Sequence, residues 1–235
     1  LFVLSIAISC SKSNPTSPAP TATNTPVPTA TQTGLFVEKA VIVQEQSSHG
    51  VGNANATIIL RYGNSLGAYV QGATVSIGGV VLTNSSAGTY TAAISNIAAG
   101  TTLNLSISSL AGNATSSIEA PWDCEVTAPT DGTYQSAGSH LDVDWRPYIV
   151  SGTLPQKRRM KLWRLSDLQI YTNSIAAVLY TSTTTTIPAN TLPNCGIIYI
   201  RVYGINEAAI VGANGGSVTF SMENSENTRY INMTP

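Results

Sequence analysis

The chain has 235 residues, of which 10 % are charged, and its formal net charge at pH 7 is −1. Soluble domains average about 25 % charged residues, so the polar surface here is expected to consist mainly of Ser, Thr, Asn and Gly. A nearly neutral chain has no long-range field that would recruit nucleic acid, and we expect no nucleic-acid partner. The length is sufficient for two small domains that each bury a core.

The N-terminal residues 1–9 are mostly apolar and end at Cys10, after which the chain becomes polar. This run is too short to span a bilayer core, which takes roughly 20 residues, but it suits the apolar region of a secretory signal. Small residues before the cysteine and a Ser/Thr/Pro tract after it resemble the signal peptide and lipobox of bacterial lipoproteins. The resemblance implies acylation of Cys10 and a lipid-anchored place in the bacterial cell envelope, at the outer membrane or cell surface. A cleaved signal without acylation and an incidental apolar start are the alternatives.

Residues 11–33 form a low-complexity tract of Ser, Thr, Pro, Ala and Asn. The tract has no apolar periodicity and too little apolar surface to offset the entropy of ordering, so we expect disorder. Its prolines favour extended stretches of about 3.1 Å per residue, which suits a spacer. The sequence therefore predicts a signal-peptide remnant at 1–9 and an acylated, disordered tether at 10–34.

Residues 35–120 contain short segments in which apolar and polar residues alternate, separated by turns rich in Gly and Asn. Leu103, Leu105 and Ile107 show the alternation most clearly. A period of two places one face of a strand in a core and the other in water, and many such strands predict an antiparallel β-sandwich. The strings Gly-Ala-Thr-Val at 72–75 and Gly-Thr-Tyr at 88–90 resemble bacterial Ig-like and transthyretin-like modules.

Residues 121–224 are predicted to form a second β-sandwich. The order of their motifs resembles fibronectin type III and Ser/Thr-rich Ig-like repeats: strands at 126–134, 141–145, 160–163, 199–206 and 216–222, with a turn at 186–188. The resemblance implies that Trp145 is a core residue and that the strand at 216–222 closes this second sandwich. Residues 225–235 are predicted to be a C-terminal tail. The predicted fold class is all-β, with two tandem antiparallel β-sandwiches, Ig-like and fibronectin type III-like, after the tether.

The chain has three cysteines. If Cys10 is acylated, Cys124 and Cys195 remain as a candidate disulfide in an oxidising compartment. Two unlinked buried thiols are the alternative, because a sequence does not give the Cα separation that a disulfide requires.

The sequence predicts no catalytic residues, no metal site and no cofactor. The G-x-S-x-G string at 63–67 matches that of serine hydrolases, but the motif needs a strand-to-helix elbow and alternating sequence follows it, so a turn is predicted. His49 and His140 have no partner at the spacing of metal ligands. Three carboxylates near the domain junction could supply oxygen ligands for calcium: Glu119, Asp123 and Asp131. However, no loop there repeats a calcium-binding spacing.

Five of the chain's eleven basic residues lie within eight positions around a tryptophan. The group consists of Lys157, Arg158, Arg159, Lys161, Trp163 and Arg164. If Met160 and Leu162 face the core, Lys161 and Trp163 point outward, where the ring can stack on a sugar while cations hold phosphate, sulfate or carboxylate. This interpretation predicts a glycan or polyanion contact. The alternative needs no ligand: a basic edge strand prevents edge-to-edge pairing of sheets.

Together these patterns predict a non-enzymatic, membrane-anchored surface lipoprotein that binds a glycan, an acidic polysaccharide, or a host or envelope protein. The alternative is a structural or accessory subunit of a cell-envelope assembly. The membrane is an expected partner through the lipid anchor, and the folded domains are expected to be monomeric. N-glycosylation sequons would instead fit a secreted glycoprotein, although such strings arise freely in a chain rich in Asn, Ser and Thr; they begin at Asn55, Asn84, Asn104, Asn113 and Asn232.

Overall fold

The structure is a computed structural model, and it describes residues 34–45, 51–149, 153–164, 169–176, 183–194, 196–223 and 227–235. For residues 169–176 it describes the backbone alone. Cys10, the tether, His49 and Cys195 lie outside these ranges. Within them, no helix is long and apolar enough to cross a membrane.

The described residues form β-strands joined by turns, which confirms the all-β fold class. The strands of the first half are β1 (Leu35–Gln44), β2 (Val51–Tyr62), β3 (Thr74–Ile77), β4 (Val80–Val81), β5 (Thr83–Ser86), β6 (Thr89–Ala98), β7 (Thr102–Ser109) and β8 (Gly112–Glu119). Those of the second half are β9 (Asp123–Ala128), β10 (Thr133–Ser136), β11 (Leu141–Ile149), β12 (Lys157–Arg164), β13 (Gln169–Ala176), β14 (Thr183–Ile187), β15 (Gly196–Ala209), β16 (Ser217–Met222) and β17 (Arg229–Thr234).

These strands form one large sheet and two small ones. The large sheet has ten strands, in the order β10-β17-β15-β16-β1-β2-β6-β5, with β12 paired to β15 and β13 paired to β12. The small sheets are β14-β11-β9 and β4-β3-β7-β8. The large sheet packs against one small sheet in each half of the chain, which gives two hydrophobic cores.

Alternation along the strands builds the first core as the sequence predicts. Leu103, Leu105 and Ile107 are buried on β7, while the residues between them are exposed. On β2 the buried positions likewise follow every second residue, ending at Ile58 and Leu60. These side chains belong to a single cluster, because successive residues of a strand point to opposite faces of its sheet.

The second core contains Trp145, as the resemblance to fibronectin type III implies. Trp145 and Val143 are buried on β11, and Met160 and Leu162 are buried on β12 in the same cluster. Strand β15 contributes further aliphatic side chains, Ile200 among them. The small sheet β14-β11-β9 and the large sheet are therefore the two layers of this half.

The C-terminal strands differ from the prediction in two ways. Strand β16 does not close the second sandwich: it pairs in parallel with β1 and antiparallel with β15, and Val218 and Phe220 lie in the first core. Residues 225–235 are not simply a tail, because they include β17, whose Ile231 is buried in the second core. Strand β17 takes the place beside β15 in the second sandwich, and it also pairs in parallel with β10. Motif order along the chain does not specify such pairing partners.

Strand β15 serves both cores. Its first part pairs with β17 and β12, and its last part pairs with β16. Ile198 and Val202 lie in the second core, whereas Ile210, just beyond the strand's end, lies in the first. The two sandwiches therefore share one continuous sheet.

Gly204 marks the point where β15 passes from one core to the other. A Cβ atom built on Gly204 would lie 2.5 Å from the backbone oxygen of Trp122 and 3.1 Å from Cβ of Pro121. The connection between β8 and β9 therefore crosses β15 with no space for a side chain. Beside it, the side-chain amide of Asn206 donates to the backbone oxygen of Glu119 at 2.8 Å and accepts from the backbone N–H of Gln156 at 3.1 Å.

Replacing Gly204→Ala is expected to destabilise the protein by about 1–3 kcal/mol, because the new methyl group forces a backbone shift in a packed junction. Gly138→Ala is the matched control, since its Cβ would meet no atom nearer than 3.8 Å. Thermal and urea unfolding of both variants measure the effect. Equal stability of the two variants would contradict the close approach at Gly204.

Candidate functional site

Strand β12 carries the basic run, and its residues alternate between the two faces of the large sheet. Met160 and Leu162 are buried, whereas Lys157 and Arg159 are exposed and Lys161 is half-buried. Trp163 lies on the same side as Lys161. We call this side of the β12-β15-β17-β10 region, opposite to the second core, the outer face.

Arg158 was expected in the surface patch, and the structure corrects this. It is buried on the core side of β12, where it shares a hydrogen bond with the thiol of Cys124. The reason is the period of two: a residue between two outward-pointing neighbours must point inward. Arg164 has the same parity as Arg158, and its Nε atom is buried without a hydrogen-bond partner. The outer face thus carries fewer cations than the sequence predicts.

The interpretation of β12 as a protective edge strand is wrong. Strand β12 pairs with β13 on one side, from Lys157 to Trp163, and with β15 on the other, from Lys157 to Arg164. Its backbone hydrogen-bonding groups are therefore taken up by both neighbours. Basic side chains on this strand do not serve to block pairing at a sheet edge.

The cations of the outer face have partners within the protein. Lys157 Nζ lies 2.8 Å from Glu207 Oε2, and Lys161 Nζ lies 3.5 Å from Glu223 Oε2. Arg159 forms a side-chain hydrogen bond with Tyr203, whose pKa is raised by burial. The positive charge of the two lysines is thus compensated by neighbouring carboxylates.

Aromatic side chains form a row across three strands of the outer face. Trp163 on β12 stacks on Tyr199 of β15, with ring centroids 5.6 Å apart and an interplanar angle of 21°. Tyr199 is directly opposite Tyr230 of β17 in the register, so the two side chains point to the same face. Trp163, Tyr199 and Tyr230 are the aromatic row. Tyr134 on β10, next to β17, adds a further exposed ring on this side.

Arg201 stabilises the row from one end. Its guanidinium carbon lies 5.1 Å from the centroid of the Trp163 ring, within the range of a cation–π contact. Its Nε donates to Thr228 Oγ1 at 3.0 Å. Burial lowers the pKa of Arg201 below its ordinary value. These contacts fix the orientation of the guanidinium, and the indole of Trp163 contacts both Arg201 and Tyr199.

The sequence indicated only one member of this site. Trp163 was identified from the basic run, but Tyr199, Arg201 and Tyr230 were not. Tyr199 and Arg201 alternate with buried Ile200, a pattern that could have placed them on the outer face. Their position beside Trp163 depends on the register of strands that are distant in sequence, which no local pattern gives.

Cys124 is a free, buried thiol, and the disulfide predicted from the sequence would join it to Cys195. Cys195 itself lies outside the described residues. Burial raises the pKa of the Cys124 thiol to about 12, against the opposing effect of Arg158. The environment therefore keeps this thiol neutral and inert.

The carboxylates considered for calcium lie in separate hydrogen-bonded settings. Asp123 is buried and accepts from Asn227 Nδ2 at 2.6 Å, and Asp131 accepts from the backbone N–H of Tyr230 at 2.9 Å. Glu119 accepts from the backbone N–H of Thr153. Among the described residues, no group of three or more His, Cys, Asp or Glu side chains could hold a metal ion. The G-x-S-x-G string follows β2 as a turn, and no helix follows it.

Comparison with known proteins identifies no family. No family model matches the chain, and no curated protein matches it. The solved structures that are similar include the fibronectin(III)-like modules of Clostridium thermocellum CbhA, with a TM-score of 0.27 and 13 % identity over 82 % of this chain and 95 % of that chain. Chicken CNTN1 FN1-FN3 domains give a TM-score of 0.24 and 9 % identity over 86 % and 68 % of the two chains. Chimeric titin Z1Z2, carrying an exogenous decorin peptide, gives 0.25 and 13 % over 82 % and 97 %. Similarities this weak carry no argument about family or function.

Cys124 is expected to resist alkylation in the native protein at pH 8, because a pKa of about 12 leaves almost no thiolate and burial excludes the reagent. In denaturant the same residue is expected to react fully. Peptide mass spectrometry after iodoacetamide treatment measures the two states. Rapid native labelling of Cys124, or a Cys124–Cys195 peptide without reductant, would contradict the structure.

Proposed function

We propose that this chain is a non-enzymatic binding protein of the bacterial cell envelope, anchored by lipid on Cys10, which binds a polysaccharide through the aromatic row. The observation that carries the proposal is the row itself: three rings on adjacent strands of a sheet face that is turned away from the core. Trp, Tyr and Arg are the residues that most often dominate binding energy at interfaces. Trp163, Tyr199 and Tyr230 form the row, and Arg201 contacts Trp163.

The geometry of the row suits a flat, partly apolar ligand. Strands of one sheet lie about 4.8 Å apart, so rings on three neighbouring strands extend over a distance comparable to two sugar units. The strands that carry the rings are fixed by pairing with neighbouring strands. Aromatic side chains also lose little conformational entropy on binding, because they have few rotatable bonds. Hydroxyl groups of a saccharide can reach the polar side chains next to the row, such as Thr228 and Asn232.

The electrostatics favour a neutral polysaccharide over a polyanion. Lys157 and Lys161 each lie next to a glutamate, Glu207 and Glu223 respectively. Each of these lysine–glutamate pairs is neutral overall, so a sulfated or phosphorylated chain would find little net positive charge there to hold it. Arg201 remains suited to orient a single hydroxyl or carboxylate of the ligand through its fixed guanidinium.

Replacing Trp163→Ala or Tyr199→Ala is expected to weaken polysaccharide binding about tenfold or more, since truncating a central aromatic residue of an interface costs about 2 kcal/mol. The control is Tyr69→Ala, which truncates an aromatic side chain that is 40 % exposed but lies outside the row and packs on Arg61 in the first sandwich. Affinity electrophoresis through gels that contain neutral polysaccharides, with heparin as the anionic comparison, measures binding. Equal retardation of all three variants, or retardation by heparin alone, would contradict the proposal.

The lipid anchor is tested separately from the binding site. Cys10 of the chain in bacterial membrane fractions is expected to carry diacylglyceryl and acyl groups, since one acyl chain alone gives only marginal attachment. Mass spectrometry of the mature N-terminal peptide measures these groups. A free thiol on Cys10 would remove the anchor from the proposal and leave the polysaccharide site untouched.

A further inference from the structure

Three loops of the first sandwich meet where the chain enters the fold. The backbone N–H of Gly63 donates to the oxygen of Gly34 at 2.9 Å, and the N–H of Asn214 donates to the oxygen of Leu35 at 2.7 Å. A Cβ on Gly112 would lie 3.7 Å from Cβ of Leu35. The loops 63–69, 109–112 and 210–216 therefore surround the entry point, and we call them the entry loops.

Each entry loop presents an aliphatic side chain to solvent. Leu66 is 92 % exposed, Leu110 is 96 % exposed and Val211 is 70 % exposed. Single exposed apolar residues are common on protein surfaces, but turns normally favour Gly, Asn, Asp, Ser or Pro. Three aliphatic residues on three adjoining loops form a group that needs an explanation.

The backbone holds Leu66 in this exposed position. Its N–H donates to Asn64 Oδ1 at 2.8 Å, and Arg61 Nη1 donates to the backbone oxygen of Gly67 at 2.8 Å. A Cβ on Gly67 would lie 1.7 Å from the oxygen of Tyr62, so the loop is folded tightly onto the end of β2. Leu66 is thus displayed by a braced loop.

Leu110 is displayed in a comparable way by the hairpin between β7 and β8. Ser109 Oγ donates to the oxygen of Gly112 at 2.9 Å and accepts from the N–H of Ala111 at 3.2 Å. Val211 is fixed by a pair of backbone hydrogen bonds with Thr115, at 2.8 and 2.9 Å. The three side chains project from backbone that is hydrogen-bonded on every loop.

The entry loops contain no Asp, Glu, Lys or Arg. The charged residue that contacts loop 63–69 is Arg61, whose Nη1 donates to the backbone oxygen of Gly67, and its charge is compensated by an ion pair with Glu38. This end of the sandwich therefore offers apolar side chains without a desolvated charge. Such a surface can enter the boundary between lipid headgroups and acyl chains, because partitioning scales with buried apolar area and is opposed by charge.

We propose that the entry loops insert Leu66, Leu110 and Val211 into a lipid bilayer surface. Lipid is the occupant that the N-terminal segment favours, because the apolar run and Cys10 precede Gly34 by a tract that spans residues 11–33. A membrane attachment at Cys10, as proposed above, makes Gly34 the first described residue along the chain from the bilayer, and the entry loops surround Gly34. The tether then raises their effective concentration at the membrane, so weak insertion suffices.

Lipid-quenching of tryptophan at the loop positions tests the proposal. The full chain carries Cys10→Ser and an N-terminal hexahistidine tag that binds nickel-chelating lipid in vesicles of phosphatidylethanolamine and phosphatidylglycerol. Leu66→Trp and Leu110→Trp are compared with Val81→Trp, a position on β4 that is 65 % exposed and outside the entry loops. Lipids brominated on the acyl chain quench tryptophan that has entered the bilayer.

The fluorescence of the introduced tryptophan is the emission of each variant minus that of the chain without it. For Leu66→Trp and Leu110→Trp we expect this fluorescence to fall by about half or more with brominated lipid, since interfacial insertion buries apolar groups about 5–10 Å into the headgroup and acyl boundary. For Val81→Trp the fluorescence of the introduced tryptophan is expected to remain unchanged. Equal quenching at all three positions, or quenching at none, would overturn the proposal. Because the tag replaces acylation, these outcomes are independent of whether Cys10 is lipidated, and circular dichroism shows that each variant is folded.

Discussion

The close crossing at Gly204 is the constraint on which the architecture depends. Strand β15 can run from the second core into the first only because the connection between β8 and β9 passes over it at a residue without a side chain. Asn206 then ties the end of β8, through Glu119, and the segment before β12, through Gln156, to the strand. As a result, the two halves share a sheet, whereas independent domains would be joined by a linker with few contacts.

The outer face follows from that shared sheet. Ile198 and Ile200 fill the second core, so Tyr199 and Arg201 must point away from it. Strand β12 lies inside the sheet rather than at its edge, which places Trp163 next to Tyr199. The same alternation buries Arg158 and separates it from its basic neighbours. A run of like charges in sequence is thereby divided between a core contact and a set of surface ion pairs.

Local patterns predicted what depends on one strand at a time. The burial of Leu103, Leu105 and Ile107 could be predicted because a period of two specifies which face is apolar, whereas the burial of Trp145 was implied by the resemblance to fibronectin type III. The partners of β16 and β17 could not, since parallel pairing with β1 and β10 is set by contacts between distant segments. Burial of Arg158 was missed because its charge was given more weight than its parity.

The parallel pairing of β1 with β16 has a mechanical consequence. Val41 to Gln44 of β1 lie beside Thr219 to Met222 of β16, and Met222 in turn lies beside Gly204 of β15. A pull on Gly34 directed along the axis of β1 would act on its parallel pairing with β16. Hydrogen bonds between the two strands would then be loaded in shear and share the force, whereas a pull across the strands would break them one after another.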